Sequence, residues 1–270
     1  MKAILKKPYW TYGQGESADF CFKIYRSGLK FQQDGHSRAS GNLQKQRENS
    51  DKIGIKKSSQ LKTVFQLKSP FGRFDFSMNL VGEYNVYNAV SALACALLTG
   101  FKPEECQKAL ACFPGVPGRL EKLETDKDFD VFIDYAHTPE ALSSALKVLK
   151  QNFKRVILAC GCGGDRDKEK RPLMAEKAVN LSDHVFWTTD NPRYEDPEQI
   201  AKEALKGLNK LSKITVELDR EQAIKKAIRF AREGDCVLIA GKGHEQFQIV
   251  KDKKQPFCDK AVALNFLKRV

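Results

Sequence analysis

The chain has 270 residues, 41% of them hydrophobic, and a formal net charge of +12. That length implies one large or two ordinary domains at roughly 100–200 residues each, and no stretch approaches the roughly 20 apolar residues that span a bilayer. The charge invites a nucleic-acid reading, but residues 1–70 hold fourteen Lys/Arg against five Asp/Glu while residues 71–270 hold thirty-two against twenty-nine, so the excess lies away from the motif-bearing part.

The start, Met1 to Pro8, has a basic flank and no apolar h-region, so no signal peptide is expected. In residues 9–35, Phe20–Ile24 and Leu29–Phe31 read as short strands joined by a Ser27-Gly28 turn. Residues 36–60 turn polar and charged and read as a basic loop or disordered insert. Strands return at Thr63–Leu67 and Phe74–Met78, across a Pro70-Phe71-Gly72 turn. Asn85 is placed to cap a helix from Val86 to Leu98, and a second helix runs from Pro103 to about Cys112. The Pro114–Gly118 segment then breaks the chain, dividing residues 1–116 from 117–270.

Beyond residue 117 strands and helices alternate. Strands are expected at Val131–Ile133, Val156–Cys160, His184–Thr188, Ile214–Glu217 and Cys236–Ala240. Helices are expected from Pro139 to about Lys150, Pro172 to Asn180, Pro197 to about Asn209 and Arg220 to Arg232. Repeated β-α units predict an α/β fold: a Rossmann-like, mostly parallel sheet with helices on both faces. The eight cysteines form no C-x-x-C pair, and Cys95 lies in an apolar run. This predicts buried, reduced thiols of a cytosolic protein, with Cys160 and Cys162 as packing residues.

Four loops that follow strands carry chemistry. Asp134 can take ribose hydroxyls, and His137 is placed for phosphates or an acyl group; equally, Thr138 and Pro139 form an ordinary helix start. Gly161 to Asp167 carries three glycines and Arg166, which favours an anion site. Asp190-Asn191-Pro192-Arg193 can read a zwitterion, Arg193 forking onto a carboxylate while Asp190 and Asn191 take an ammonium; a plain Asn-Pro turn is the alternative. Gly241-Lys242-Gly243-His244-Glu245 carries two glycines and three ionisable groups, and Glu245 can hold an ammonium. His137 and His244 have no third ligand, so no metal site is expected. Arg119, at the domain boundary, is either a surface charge or a guanidinium reaching nucleotide phosphates.

Together with Gly82–Ala89 and Pro117–Glu121, these runs stand in the order found in Mur ligases, and the chain resembles the C-terminal part of the diaminopimelate-adding branch of that family over roughly residues 9–35 and 61–270. The resemblance implies contacts with meso-diaminopimelate from Arg166, Asp190, Asn191, Arg193, Gly241 and Glu245, with Pro192 shaping the loop. It implies ATP contacts from Asn88, Arg119 and Asp134, and a catalytic place beside the phosphates for His137. The implied reaction is cytoplasmic and belongs to peptidoglycan precursor synthesis. ATP phosphorylates the free side-chain carboxylate of D-Glu in UDP-MurNAc-dipeptide, and the diaminopimelate amine displaces phosphate, with Mg2+ steadying the transferring group.

The family's UDP-sugar domain, its P-loop ending Gly-Lys-Thr and its carbamylated lysine have no counterpart in these residues. Residues 1–116 resemble only the end of the central ATPase domain, strands plus two helices. Two readings follow. The chain is part of a truncated or split ligase that catalyses when a separate polypeptide supplies the P-loop half, or it is a non-catalytic diaminopimelate-binding module. A weaker third reading is a nucleic-acid binder acting through residues 36–60. Neither nucleic acid nor membrane is expected as a partner.

Overall fold

The computed structural model describes residues 11–15, 17–28, 62–209 and 211–269. They form two compact units, residues 1–113 and 114–270.

The first unit is a four-stranded sheet, β1 (Tyr12–Gly13), β2 (Phe20–Gly28), β3 (Lys62–Ser69) and β4 (Gly72–Met78) in that order, with β1 parallel to β2 and the others antiparallel. Alternation places Phe20 and Phe22, Phe65 and Leu67, and Phe76 and Met78 on one buried face. Helix α1 (Glu83–Leu98) covers that face with Val86, Ala89, Val90, Leu93 and Leu97, the three-and-four spacing of an amphipathic helix. Helix α2 spans Pro103–Cys112, where the sequence places it.

Three expectations fail here. Ser27 and Gly28 are not a turn but the end of β2, paired with Thr63 and Lys62; Leu29–Phe31 and residues 36–60 lie outside the described residues. Asn85 is not the cap of α1. Gly82 holds that position, and Asn85 Nδ2 donates to Val81 O at 2.8 Å from inside the first turn. Cys95 and Cys112 are exposed, because they fall on the outer face of their helices; Cys106, Cys160, Cys162 and Cys236 are buried free thiols.

The second unit holds a six-stranded sheet in the order β5-β6-β10-β7-β8-β9. Its strands are β5 (Glu121–Leu123), β6 (Asp130–Asp134), β7 (Arg155–Cys160), β8 (His184–Trp187), β9 (Ile214–Val216) and β10 (Asp235–Ala240). All pairings are parallel except β5 with β6. Helices α3 (Pro139–Asn152), α4 (Lys170–Leu181) and α5 (Pro197–Leu205) pack side by side in one layer, and α6 (Arg220–Phe230) packs with α7 (Asp259–Leu267) in another. Residues 131, 133, 157, 159, 237 and 239 share a core with α6 and α7, while Phe132, Val156, Leu158 and Leu238 are buried on the opposite side of their strands. Strands buried on both faces explain their unbroken apolar runs. Helix α5 stops about four residues short of the expected Asn209, since Gly207, at φ +79°, turns the chain. Strand β5, helix α7 and a hairpin of β11 (Phe247–Val250) and β12 (Lys253–Pro256) complete the unit.

Strand β10 sits between β6 and β7, so the chain order reverses around it. The loops leaving the carboxyl ends of β6, β7, β8 and β10 therefore meet at one edge, the place where open α/β sheets bind ligands. Those loops carry the four chemistry-bearing runs.

Candidate functional site

The Asp190–Arg193 run leaves β8 and is fixed from three sides. Glu195 N donates to Pro192 O at 3.1 Å, so the ordinary Asn-Pro turn is present. Arg193 pairs with β11 through its backbone: its N donates to Ile249 O at 3.1 Å and its O accepts from Lys251 N at 2.6 Å. Gln248 Nε2 donates to Asp190 O at 2.5 Å. Arg193 Nη1 donates to Gly164 O at 2.7 Å, while Nη2 and Nε have no hydrogen-bond partner among the described residues. A guanidinium tethered at one corner leaves its other donors for a carboxylate.

Lys242 is the centre of the cluster. Its side chain has no exposed surface, and its Nζ lies 2.9 Å from Asn191 Oδ1, 3.0 Å from Glu245 Oε2 and 3.7 Å from Asp190 Oδ1. Asn191 Nδ2 also donates to Glu245 Oε2 at 3.1 Å, and Ile249 N donates to Asn191 Oδ1 at 2.9 Å. This corrects one expectation. The amide oxygen of Asn191 already accepts from the Lys242 ammonium and from Ile249 N, so it is not free for a ligand's ammonium; its NH2 group faces the acidic side.

The free acceptors belong to Asp190 and Glu245. Asp190 Oδ1 is buried without a hydrogen bond, and burial raises the Asp190 pKa against the opposing pull of Arg220 and Lys242. Burial also acts to raise the Glu245 pKa, but the hydrogen bonds from Lys242 and Asn191 outweigh it and hold the group below its ordinary value. Gly241, at φ +118°, keeps the space beside this carboxylate: a Cβ there would lie 3.1 Å from Asp190 Oδ2. The cluster thus carries two carboxylates against one ammonium and presents an acceptor with no donor of its own.

The glycine loop also joins two stretches of backbone. A Cβ on Gly161 would lie 1.7 Å from Thr188 O, and one on Gly164 1.9 Å from Pro192 O. Gly164 N already donates to Asn191 O at 2.9 Å. Gly161 and Gly164 let two backbones touch. Arg171, fully buried on α4, locks the same junction through Glu195 at 2.8 and 3.0 Å and Glu203 at 2.5 Å. Its hydrogen bonds hold the Glu195 pKa down to about 2. Arg166 is not drawn into the cluster; it stays exposed, with Nη1 donating to Asp165 O at 3.1 Å.

On the β6 side, Asp134 accepts Leu120 N at 2.7 Å and Ala136 N at 2.8 Å, one on each oxygen. Burial raises its pKa while those bonds oppose it. Asp134 thereby ties the Gly118–Leu120 segment to the sheet. Tyr135 is flanked by Arg119 at 4.9 Å, His137 at 4.7 Å and His244 at 5.5 Å between ring centroids or guanidinium carbon. His137 Nδ1 lies 2.8 Å from Tyr135 O. A carbonyl accepts only, so Nδ1 is the donor in this contact and Nε2 is left without a partner among the described residues. The expected start of α3 is present, with Ala141 N donating to Thr138 Oγ1 at 3.3 Å. Asn88 lies on the exposed face of α1, in the first unit.

Sequence reasoning missed Lys242 as the hub, and it missed the buried pair Arg220–Asp259. Arg220 Nη2 donates to Asp259 Oδ2 at 2.7 Å and to Ala240 O at 3.0 Å, and Nη1 to Thr189 O at 3.3 Å, tying the ends of β8 and β10 together from behind the pocket. The signal for Lys242 was its place between two glycines after a buried strand. For Arg220 the sequence holds no such signal, since Asp259 is 39 residues away.

Residues 118–243 match the family model described as Mur ligase, glutamate ligase domain. The second unit is a Mur ligase C-terminal domain. The chain is similar to the UDP-N-acetylmuramoyl-L-alanyl-D-glutamate--2,6-diaminopimelate ligase of Syntrophomonas wolfei, 47% identical over 195 residues, which are 71% of this chain and 40% of that protein. It is 48% identical over 202 residues to the enzyme of the same name from Geobacillus thermodenitrificans, covering 74% of this chain and 41% of that one. A solved structure of a ligase of this name superposes with a TM-score of 0.64 at 31% identity, over 99% of this chain and 50% of the solved one. The chain spans about 40% of the length of these curated relatives.

Proposed function

We propose that this chain is the amino-acid-receiving part of a ligase that joins meso-2,6-diaminopimelate to UDP-MurNAc-L-Ala-D-Glu in cytoplasmic peptidoglycan precursor synthesis. The observation that carries the proposal is the pairing of an acidic cluster, Asp190 and Glu245, with the free donors of Arg193 on one loop junction. One end of diaminopimelate is an ammonium and a carboxylate on the same carbon. Asp190 and Glu245 take the ammonium, Arg193 forks onto the carboxylate and the Asn191 NH2 supports it. Gly241 and Pro192 shape the walls. Lysine lacks the far carboxylate and would leave Arg193 unpaired, at a cost of about 1–3 kcal/mol, more for a charge. Arg166 belongs to the mouth of this site rather than to its floor.

ATP supplies the phosphoryl group that converts the D-Glu side-chain carboxylate into an acyl phosphate. Arg119 and His137, at the edge beside Asp134, fit its polar part. Nε2 of His137 is the proton acceptor or donor at that edge. The amine nitrogen bonds to the acyl carbon, phosphate leaves with the C–O electron pair, and the amine gives up a proton. Among the described residues no group of three or more His, Cys, Asp or Glu side chains comes together to hold Mg2+. The P-loop and the UDP-sugar site would come from elsewhere in the protein or from a separate polypeptide. A diaminopimelate-binding module without catalysis shares the same pocket.

Titration calorimetry of the purified chain with meso-diaminopimelate and with L-lysine tests the reading. Diaminopimelate is expected to bind and lysine to bind far more weakly; equal affinities, or no heat from diaminopimelate, would overturn it.

A further inference from the structure

Lys242 stands where a ligand's positive charge is expected, yet it has no exposed surface and its Nζ stops 3.7 Å from Asp190 Oδ1, outside hydrogen-bond range. It does not fill the acidic pocket. Instead it occupies Asn191 Oδ1 and Glu245 Oε2, and leaves Asp190 Oδ1 free. Glu245 Oε1 likewise has no hydrogen bond among the described residues. Two carboxylates converging on one ligand group repel each other, and without a cation one of them takes up a proton. A protonated carboxyl no longer pairs with an ammonium.

We propose that Lys242 is a positioning and specificity-determining residue: it holds the Asp190–Glu245 pocket at a single net negative charge and turns Asn191 and Glu245 so that the pocket accepts one ammonium. This rests on the amino-acid reading of the same site. Lys242 touches no substrate itself; it acts through Asn191 and Glu245. The charged groups that act on Asp190 are Lys242, Glu245, Arg220 from α6 and Asp259 from α7, with the thiols Cys160 and Cys162 nearby. Glu245 feels Lys242 and His244. Arg220 pulls on Asp190 more strongly than Lys242 does and is offset only in part by its partner Asp259, while Lys242 is the cation that acts on Asp190 and Glu245 together.

The test compares the wild-type chain with Lys242→Met and with Lys242→Gln, which keeps a donor to Asn191 but not the charge. Calorimetry with meso-diaminopimelate is run across pH, and thermal unfolding checks that each variant folds. Both variants are expected to lose affinity at neutral pH by about tenfold or more, and on acidification their binding is expected to fail at a higher pH than that of wild type, since a carboxylate without its cation takes up a proton sooner. A purely structural lysine would lower the unfolding temperature and leave that acid limb in place; this result, or wild-type affinity in a folded variant, overturns the proposal. A wild-type chain that binds no diaminopimelate sinks the amino-acid reading and this inference with it. Carbon NMR of the Glu245 carboxyl in wild type is independent of both. It is expected to titrate below the ordinary 4.5, and a value at or above that overturns the role of Lys242 whatever the variants do.

Discussion

Arg193→Ala separates selection of the second carboxylate from general loop integrity. In the structure Nη1 is committed to Gly164 O at 2.7 Å and to Asn191 O at 3.4 Å, so the ligand is left Nη2 and Nε. Hydrogen bonds to charged groups are worth about 1.5–3 kcal/mol net. Allowing for partial exposure of the site, a carboxylate gripped by those two nitrogens gains about 2–3 kcal/mol, or about 30- to 150-fold in affinity at 1.4 kcal/mol per tenfold. The alanine variant also releases the Gly164 tether, which weakens every ligand. The remedy is a cycle: measure diaminopimelate and lysine against wild type and variant, so that the ligand carboxylate and the guanidinium are each removed alone and together. Arg193 holds φ at +52°, and alanine keeps the same Cβ in that left-handed conformation, so backbone strain is unchanged across the cycle. The expected coupling is about 2–3 kcal/mol by calorimetry, with the preference for diaminopimelate over lysine nearly abolished in the variant. If the ratio of the two affinities is the same in Arg193→Ala as in wild type, the guanidinium does not read the carboxylate.

Three further outcomes follow from the geometry. Gly164→Ala places a methyl 1.9 Å from Pro192 O, so the loop junction must part; about 1–3 kcal/mol of stability is expected to be lost in urea titration, with diaminopimelate binding lost alongside, and a neutral effect would show the junction to be looser than described. Glu195 has its folded pKa lowered from 4.5 to about 2 by Arg171. The stabilisation is therefore complete above 4.5 and lost as pH falls towards about 2; Glu195→Gln should remove that acid limb from the unfolding midpoint, and an unchanged limb would assign it to another carboxylate. Arg220→Met leaves Asp259 buried with no partner and frees the carbonyls of Ala240 and Thr189; about 3–5 kcal/mol is expected to be lost, partly recovered by adding Asp259→Leu, and no recovery in the double variant would refute the pairing.

How far the sequence reveals this site depends on whether a signal is local. The β-α alternation after residue 117 is local, and its strands and helices fall within a few residues of their expected bounds, as at Pro103–Cys112 and Pro139–Asn152. Strand β5 is three residues long and antiparallel at an edge, too short to show a period of two. Asn85 has the right chemistry for a cap, but the helix begins at Glu83 behind Gly82, three residues before the expected start at Val86. The loops carrying Asp190, Arg193, Gly241 and Glu245 were legible because charged residues and glycines right after buried strands have few structural uses. What each atom does there was not. The exclusion of the Asn191 oxygen as an acceptor for a ligand's ammonium rests on Ile249, 58 residues on, and the glycines of the Gly161–Gly164 run serve contacts with Thr188 and Pro192 that only the sheet order brings close.

The same long-range contacts bear on how the proposed pocket would discriminate. A site that selects a zwitterion must hold donors and acceptors apart before the ligand arrives, since a flexible Arg193 would otherwise collapse onto Asp190 or Glu245. Here that collapse is opposed on both sides. Arg193 is threaded backbone-first between Ile249 and Lys251 and pinned at Nη1 by Gly164, while Glu245 is held by Lys242 and Asn191. The buried Arg220–Asp259 and Arg171–Glu195 pairs brace the two ends of the same loop from below. Organising energy spent within the protein lowers the ordering cost at binding. On the proposed reading, specificity for a second carboxylate would reside less in the four residues of the loop than in the hairpin, the glycine run and the buried cations that keep them from satisfying one another.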